Sequence, residues 1–178
     1  IQNQLHPRFA VKAMQSTDIF SVGGSVSVNA HGMDHHAGSL AGSIRSIELM
    51  LADGSVVHCG PAENADLFRH VVGGYGLFGV ILRVELDVVA NAIYRTSREI
   101  IPSKDFPRYF ADRIDGDEDL GLFYGHLSTS PGSLLQEMVV YRYDRIKAEA
   151  PADLPPLGEP GMVGLKRLIL NLSKYGAW

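Results

Sequence analysis

The chain has 178 residues, 46% of them hydrophobic and 20% charged, with a formal net charge of −4. That composition describes an ordinary soluble globular protein with room for one sizeable core, or one domain and part of a second. A weakly acidic chain is poorly suited to gripping nucleic acid through its phosphates. No apolar run is long enough to span a bilayer. The single cysteine, Cys59, excludes an internal disulfide and fits a reducing, cytoplasmic setting. The sequence begins at Ile1 without a methionine and stops at Trp178 inside a helix-like run, so it reads as a fragment.

In chain order, the first conspicuous stretch is "SVGGSVSVNAHGMDHHAGSLAG", positions 21 to 42, which holds five glycines, three histidines and one ionised side chain, Asp34. Glycine lets backbone N–H groups come close to a ligand, and imidazole adds a donor, an acceptor or a charge near neutral pH. The pattern predicts a site that grips through its backbone. Next, "RSIELMLADGSVVHC" predicts a hairpin: Ile47, Leu49 and Leu51 alternate, and Asp53-Gly54 supplies the positive φ angles of a two-residue turn. "ENADLFRHVVGG" predicts a short helix capped by Asn64, with Asp66 in its first turn and Gly73 at its end. "VILRVELDVV" alternates strictly, which predicts a strand with Val80, Leu82, Val84, Leu86 and Val88 on one face.

The texture changes after about Asn91. "YRTSREIIPSKDFPRYFADRI" reads as a strand and then a helix that tolerates Pro107 in its first turn. "GLFYGHLS" and "SLLQEMVVYRYDRI" read as a strand pair, "KAEAPADLPPLGEP" as an extended connector, and "MVGLKRLILNLSKYG" as a helix. Residues 1–91 and 92–178 are therefore expected to belong to two α+β units, the second incomplete.

Several motifs compete for the chemistry. Gly74, Gly76 and Gly79 satisfy G-x-G-x-x-G, but a helix precedes them and a strand follows. A dinucleotide fold needs the reverse order, so this is a glycine-rich turn. His31 and His35 have an H-x-x-x-H spacing that two ligands of a metal could share. Gly32 and Gly38 oppose a rigid helix there, and no glutamate lies between the histidines, so no metal site is assigned. No G-x-S-x-G elbow supports a serine hydrolase. Cys59 falls on the hairpin and is given no chemistry.

The succession decides among them. "SVGGSVSVNAHG", "GSLAGSIRSIELMLADGSVV" and "ADLFRHVVGGYGLFGVILRVEL" follow one another over positions 16 to about 90. This order resembles the PCMH-type FAD-binding domain of the vanillyl-alcohol oxidase family. "HGMDHHAGS" is most similar to the decaprenylphosphoryl-ribose oxidase branch, and more loosely to sugar-alcohol oxidases. The resemblance implies the second subdomain of such a domain, a mixed or antiparallel sheet with flanking helices, followed by the start of an α+β substrate-binding domain; the N-terminal FAD subdomain would be missing. It implies FAD as cofactor, and a cofactor-binding set of Ser16, Ser21, Val22, Gly23, Gly24, Val28, Asn29, Ala30, His31 and Ile81. Backbone amides around Val22 to Gly24 would meet the pyrophosphate, the backbone of Ile81 would meet the adenine end, and His31 would stand beside the flavin ring as the catalytic donor. The implied reaction is oxidation of an alcohol carbon of a sugar, polyol or related small molecule by hydride transfer. The electron acceptor stays open between oxygen, quinone and protein. The rival readings are a non-catalytic nucleotide- or phosphate-binding module and, less favoured, a histidine-metal hydrolase.

Overall fold

A computed structural model describes residues 1–13, 15–16, 20–148, 154–155, 157–158 and 162–173. It is a mixed α+β structure of antiparallel sheets with few helices. The chain opens with α1 (Gln2–Leu5), β1 (Phe9–Val11) and α2 (Val22–Ser27). A 3-10 turn over Leu40–Ser43 leads into the hairpin of β2 (Ile44–Met50) and β3 (Val56–Cys59). Its connection is longer than the two-residue turn predicted. Leu51 and Ser55 are joined by the Leu51 N–H to the Ser55 carbonyl at 2.8 Å, and only Gly54 has positive φ, at 83°. A three-residue loop lets Asp53 keep an ordinary φ. One of its carboxylate oxygens accepts from the Ser55 amide at 2.9 Å and from the Ser55 hydroxyl at 2.6 Å.

Helix α3 (Ala65–Val71) lies where its apolar stripe predicts, but Asn64 does not cap it. Asn64 is itself left-handed, at φ 46°, and its amide donates to the His58 carbonyl at 2.7 Å. That bond ties the helix start to the end of β3. The turn after α3 shows why glycines recur there. A Cβ on Gly74 would sit 2.0 Å from the His70 carbonyl oxygen, and one on Gly79 would sit 2.5 Å from the Met50 carbonyl oxygen. Both glycines allow backbone to approach backbone.

The predicted strand at 80–89 divides in two. β4 (Val80–Leu86) pairs with β2 and gives the order β3-β2-β4. Its alternation is broken by a bulge: Glu48 pairs with Arg83 and Leu49 with Ile81, so Leu82 is the extra residue. Inward positions are therefore Ile81, Val84 and Leu86, whereas Val80 and Leu82 are exposed, 56% and 50% respectively. The single apolar face expected from period two is overturned at this point. At Asp87 the backbone turns to bond Ser43, and β5 (Val88–Ala90) leaves to pair with β1.

Ile47 and Leu49, fully buried on β2, centre the core of this region. Val26, Leu40, Ile44, Cys59, Phe68 and Val71 pack around them, joining α2, α3 and the sheet. Burial raises the Cys59 thiol pKa, and Glu63 adds to it, which suits an unreactive core residue.

The second region follows the sequence closely. β6 (Tyr94–Pro102), β7 (Leu120–Leu127) and β8 (Glu137–Arg145) form an antiparallel sheet ordered β6-β8-β7, and α4 (Phe106–Arg113), with Pro107 in its first turn, lies between β6 and β7 in the chain. Ile114, Leu120 and Val140 are fully buried. Arg142 is buried beside them and donates to the Arg113 carbonyl, to Asp117 at 2.7 Å and to Asp144 at 2.8 Å. Burial disfavours its charge, but the two carboxylates outweigh that and raise its pKa, while Arg142 in turn holds the Asp117 carboxyl below its ordinary range. α5 (Val163–Ser173) covers most of the predicted final helix; 174–176 and most of the connector lie outside the described residues. No described helix is long and apolar enough to cross a membrane.

The bulge makes neighbouring apolar residues inequivalent. Ile81→Ser is expected to cost roughly 1–2 kcal/mol of unfolding free energy, and Leu82→Ser less than about 0.5. Urea denaturation of the cofactor-free protein checks this, and the reverse ranking would restore simple alternation.

Candidate functional site

The glycine segment folds into α2 because both of its ends are held. The Gly24 amide donates to Ser21 Oγ at 3.1 Å, an N-terminal cap for a helix that two glycines would otherwise weaken. At the other end, the Gly73 and Tyr75 amides donate to the carbonyls of Val26 and Ser27, each at 2.9 Å. Asn29 then turns left-handed at φ 47°, and its side chain accepts from the Ala41 amide at 3.0 Å. The Leu40 amide bonds the Ala30 carbonyl at 2.7 Å, and a bridge between His31 and Ser39 closes the base of the histidine loop.

A cleft of about 400 Å³ opens beside α2, lined by Val11, Ala13, Gln15, Ser21, Val22 and Ser25 among others, with Ala30, Leu40 and Leu86 at its floor. Ser25 Oγ donates to Gln15 Oε1 at 3.1 Å, which fixes both side chains on its wall. Among the described residues no carboxylate, lysine or arginine side chain lines this cleft. A second cleft, of about 370 Å³, lies across the 10–16 segment and is lined by Lys12, Ser16, Met33, His36, Tyr94 and Arg145 among others.

The histidine loop spans the two regions. Asp34 Oδ1 accepts from the amides of His36 and Ala37, each at 2.9 Å, which shapes the turn. The Phe123 amide on β7 donates to the Met33 carbonyl at 2.9 Å. The His35 ring packs edge-on against Phe123 at 5.1 Å and lies 3.9 Å from the His36 ring. Both His35 nitrogens are buried without a hydrogen-bond partner among the described residues. Burial first, and His36 second, lower its pKa; Asp34, Asp115 and the nearby Ile114 backbone oppose this only in part. His31 is exposed, with Nδ1 3.3 Å from the Gly32 carbonyl.

The structure gathers only part of the predicted cofactor set into one place. Ser21, Val22 and Ala30 line the first cleft, with Gly23 and Gly24 in the helix beside it. Ser16 lines the second cleft. Val28, Asn29 and His31 follow α2, and Ile81 is packed into the sheet and lines neither cleft. Among the described residues no three His, Cys, Asp or Glu side chains converge as a metal site would require.

Sequence reasoning missed a face of the second sheet. Tyr124 stacks on Tyr141 at 4.8 Å and lies 6.1 Å from Tyr143, with His126 edge-on to Tyr124 at 5.1 Å. A hydrogen bond that the Tyr124 hydroxyl donates to Tyr143, with burial, raises the Tyr124 pKa. The period-two run Tyr141, Tyr143, Arg145 carried that signal, since alternate strand residues share a face.

With this geometry in hand, comparison with known proteins identifies the class. Residues 2–60 match a family described as an FAD binding domain. The chain is 38% identical over 112 residues to decaprenylphosphoryl-beta-D-ribose oxidase of Mycolicibacterium smegmatis, covering 61% of this chain and 24% of that protein. It is 38% identical over 79 residues to an alditol oxidase of a Streptomyces species, covering 44% and 19%. It is 26% identical over 137 residues to human Delta(24)-sterol reductase, covering 76% and 24%. The chain thus spans about a quarter or less of these relatives. The likeness to an FAD binding domain falls on residues 2–60, and the comparisons support FAD as the cofactor.

The residues present fit that group. FAD carries a doubly negative pyrophosphate, and among the described residues the first cleft presents no repelling carboxylate side chain. The amides of Val22 and Gly23 find no acceptor among the described residues, and a Cβ built on Gly23 meets nothing within 4 Å, so the backbone there stands open to a ligand.

The buried His35 ring also sets a pH dependence. Its depressed folded pKa means the unfolded chain binds the extra proton first, so stability should fall as pH drops below the ordinary imidazole value of about 6.5. His35→Phe should flatten the unfolding midpoint between pH 7 and 5. An unchanged slope in that variant would remove His35 as its source.

Proposed function

We propose that the protein containing this chain is an FAD-linked oxidoreductase that oxidises an alcohol carbon of a sugar, polyol or related small molecule. FAD, when bound, supplies the hydride acceptor. The observation that carries the reading is a glycine and serine cradle beside α2, with no ionised side chain among its described residues, adjoining a cleft that the histidine loop and the second sheet share. The names of the relatives, which include oxidases of sugar- and polyol-type compounds, support the same chemistry.

In this reading the chain's own groups do three things. The backbone of Ser21 to Gly24 holds the anionic part of the cofactor, with Ser16, Val28, Asn29, Ala30 and Ile81 completing the envelope. The buried Ile47 and Leu49 layer behind α2 keeps that backbone from moving. His31, exposed and free of any carboxylate partner among the described residues, supplies a hydrogen-bond donor where negative charge develops.

Two substitutions separate binding from chemistry in the full-length protein. A Cβ at Gly23 meets nothing within 4 Å outside its own helix, so the fold should survive Gly23→Val while FAD retention, read from the visible flavin bands, is lost. A variant with full flavin occupancy would refute the contact. His31→Ala should keep FAD but slow anaerobic flavin reduction by about two to three orders of magnitude per bound flavin. A rate within a few-fold of wild type would take His31 out of the chemistry.

A further inference from the structure

Among the described residues α5 is the one helix with no buried or half-buried side chain; α1 to α4 each have at least one. Along α5, Leu165, Leu168, Ile169 and Leu172 recur at i, i+3, i+4 and i+7 and so share one stripe. Each is between 45% and 62% exposed. Lys166 and Arg167 sit on the rest of the circumference. A helix of 11 residues is marginal in water, and the described side chains of α5 gain no packing from the body. Whatever covers the stripe completes the helix.

Charge decides which kind of surface fits it. Residues 1–159 hold all 20 acidic side chains and 13 of the 16 basic ones. From Pro160 to Trp178 there is no acidic side chain, whereas Lys166, Arg167 and Lys174 are basic. Pairing α5 with α5 of a second copy would bring like charges together. An anionic surface is the complement. In sequence, Tyr175 and Trp178, the chain's single tryptophan, follow the helix, and such aromatic side chains favour the boundary between bilayer and water. The helix rises only about 16 Å, roughly half of a bilayer core, so it would lie on a membrane and not cross it.

We propose that α5 is a peripheral membrane anchor. Its leucine and isoleucine stripe enters the boundary of an anionic lipid bilayer, while Lys166 and Arg167 meet the headgroups. The inference goes beyond the oxidoreductase reading: it says where the protein is held, not which molecule it oxidises.

Co-sedimentation of the full-length, flavin-loaded protein with vesicles tests this. One set is phosphatidylcholine alone; the other is an equal mixture of phosphatidylcholine and phosphatidylglycerol. The protein should sediment with the anionic vesicles and far less with the neutral ones, and added salt should release it. Leu168→Ser combined with Ile169→Ser should weaken anionic binding at least about tenfold. Lys166→Gln and Arg167→Gln should each weaken it about fivefold. Flavin occupancy and the unfolding midpoint should hold in every variant, because the replaced side chains are exposed. Hydrogen exchange gives a second readout. The amides of 166–173 should exchange fast in lipid-free protein and slowly on anionic vesicles. Equal binding to both vesicle types, or none, overturns the proposal, as does a double serine variant that binds like wild type. Slow exchange in lipid-free protein, with a midpoint lowered by the serines, would mean that the protein itself covers the stripe. A lipid-free dimer dissociated by the serines would mean that a second copy does. Either result overturns the proposal, and neither touches the flavin bands that test the redox reading.

Discussion

The cofactor cradle proposed for this chain depends on how a helix containing two adjacent glycines is kept helical. Each glycine in a helix interior costs about 1 kcal/mol relative to alanine, and six residues are too few to form a stable helix alone. α2 persists because Ser21 caps its start and because the Gly73 and Tyr75 amides clamp the Val26 and Ser27 carbonyls at its end. Its one fully buried side chain, Val26, anchors it against the sheet. The glycines can then leave their backbone open toward the cleft. Conformational freedom that would be a liability in an isolated peptide becomes access for a cofactor once the ends are fixed.

The distribution of charge follows from the same need. Among the described residues the first cleft has no ionised side chain on its wall, and backbone dipoles can hold an anion without a countercharge that must itself be desolvated. The second region does the opposite. It buries Arg142 and satisfies it with a carbonyl and two carboxylates, so α4, the 117 turn and β8 are locked by one guanidinium. Between them, the histidine loop carries the His35 imidazole, wedged against Phe123, its pKa lowered chiefly by burial. A lowered pKa suits a seam where an unpaired charge would cost stability.

That seam is also where the molecule's surfaces become a site. The loop closed by His31 and Ser39 reaches across to β7 through the Met33 carbonyl, and places His36 and Asp34 on a wall facing Lys12, Tyr94 and Arg145. None of these elements forms a cleft alone. The 10–16 segment divides the cofactor side from the other side, with Val11, Ala13 and Gln15 shared by both walls.

Much of this was legible in the sequence. The order of helices and strands, the turn glycines at 73–79 and the FAD-binding class all rest on local patterns: period, cap chemistry and the succession of short motifs. Tertiary structure decided what local patterns cannot carry. The bulge at Leu82 moved Ile81 inward because β4 had to match β2, not because of its own alternation. Asn64 gave up its capping role for the His58 carbonyl, and Val88–Ala90 left one sheet for a partner near the start of the chain. Lys12 and Arg145 meet at one cleft through the same kind of long-range pairing. Periodicity reports which way a side chain points relative to its neighbours, whereas a site depends on which distant backbones pair, and that is settled only when the whole core packs.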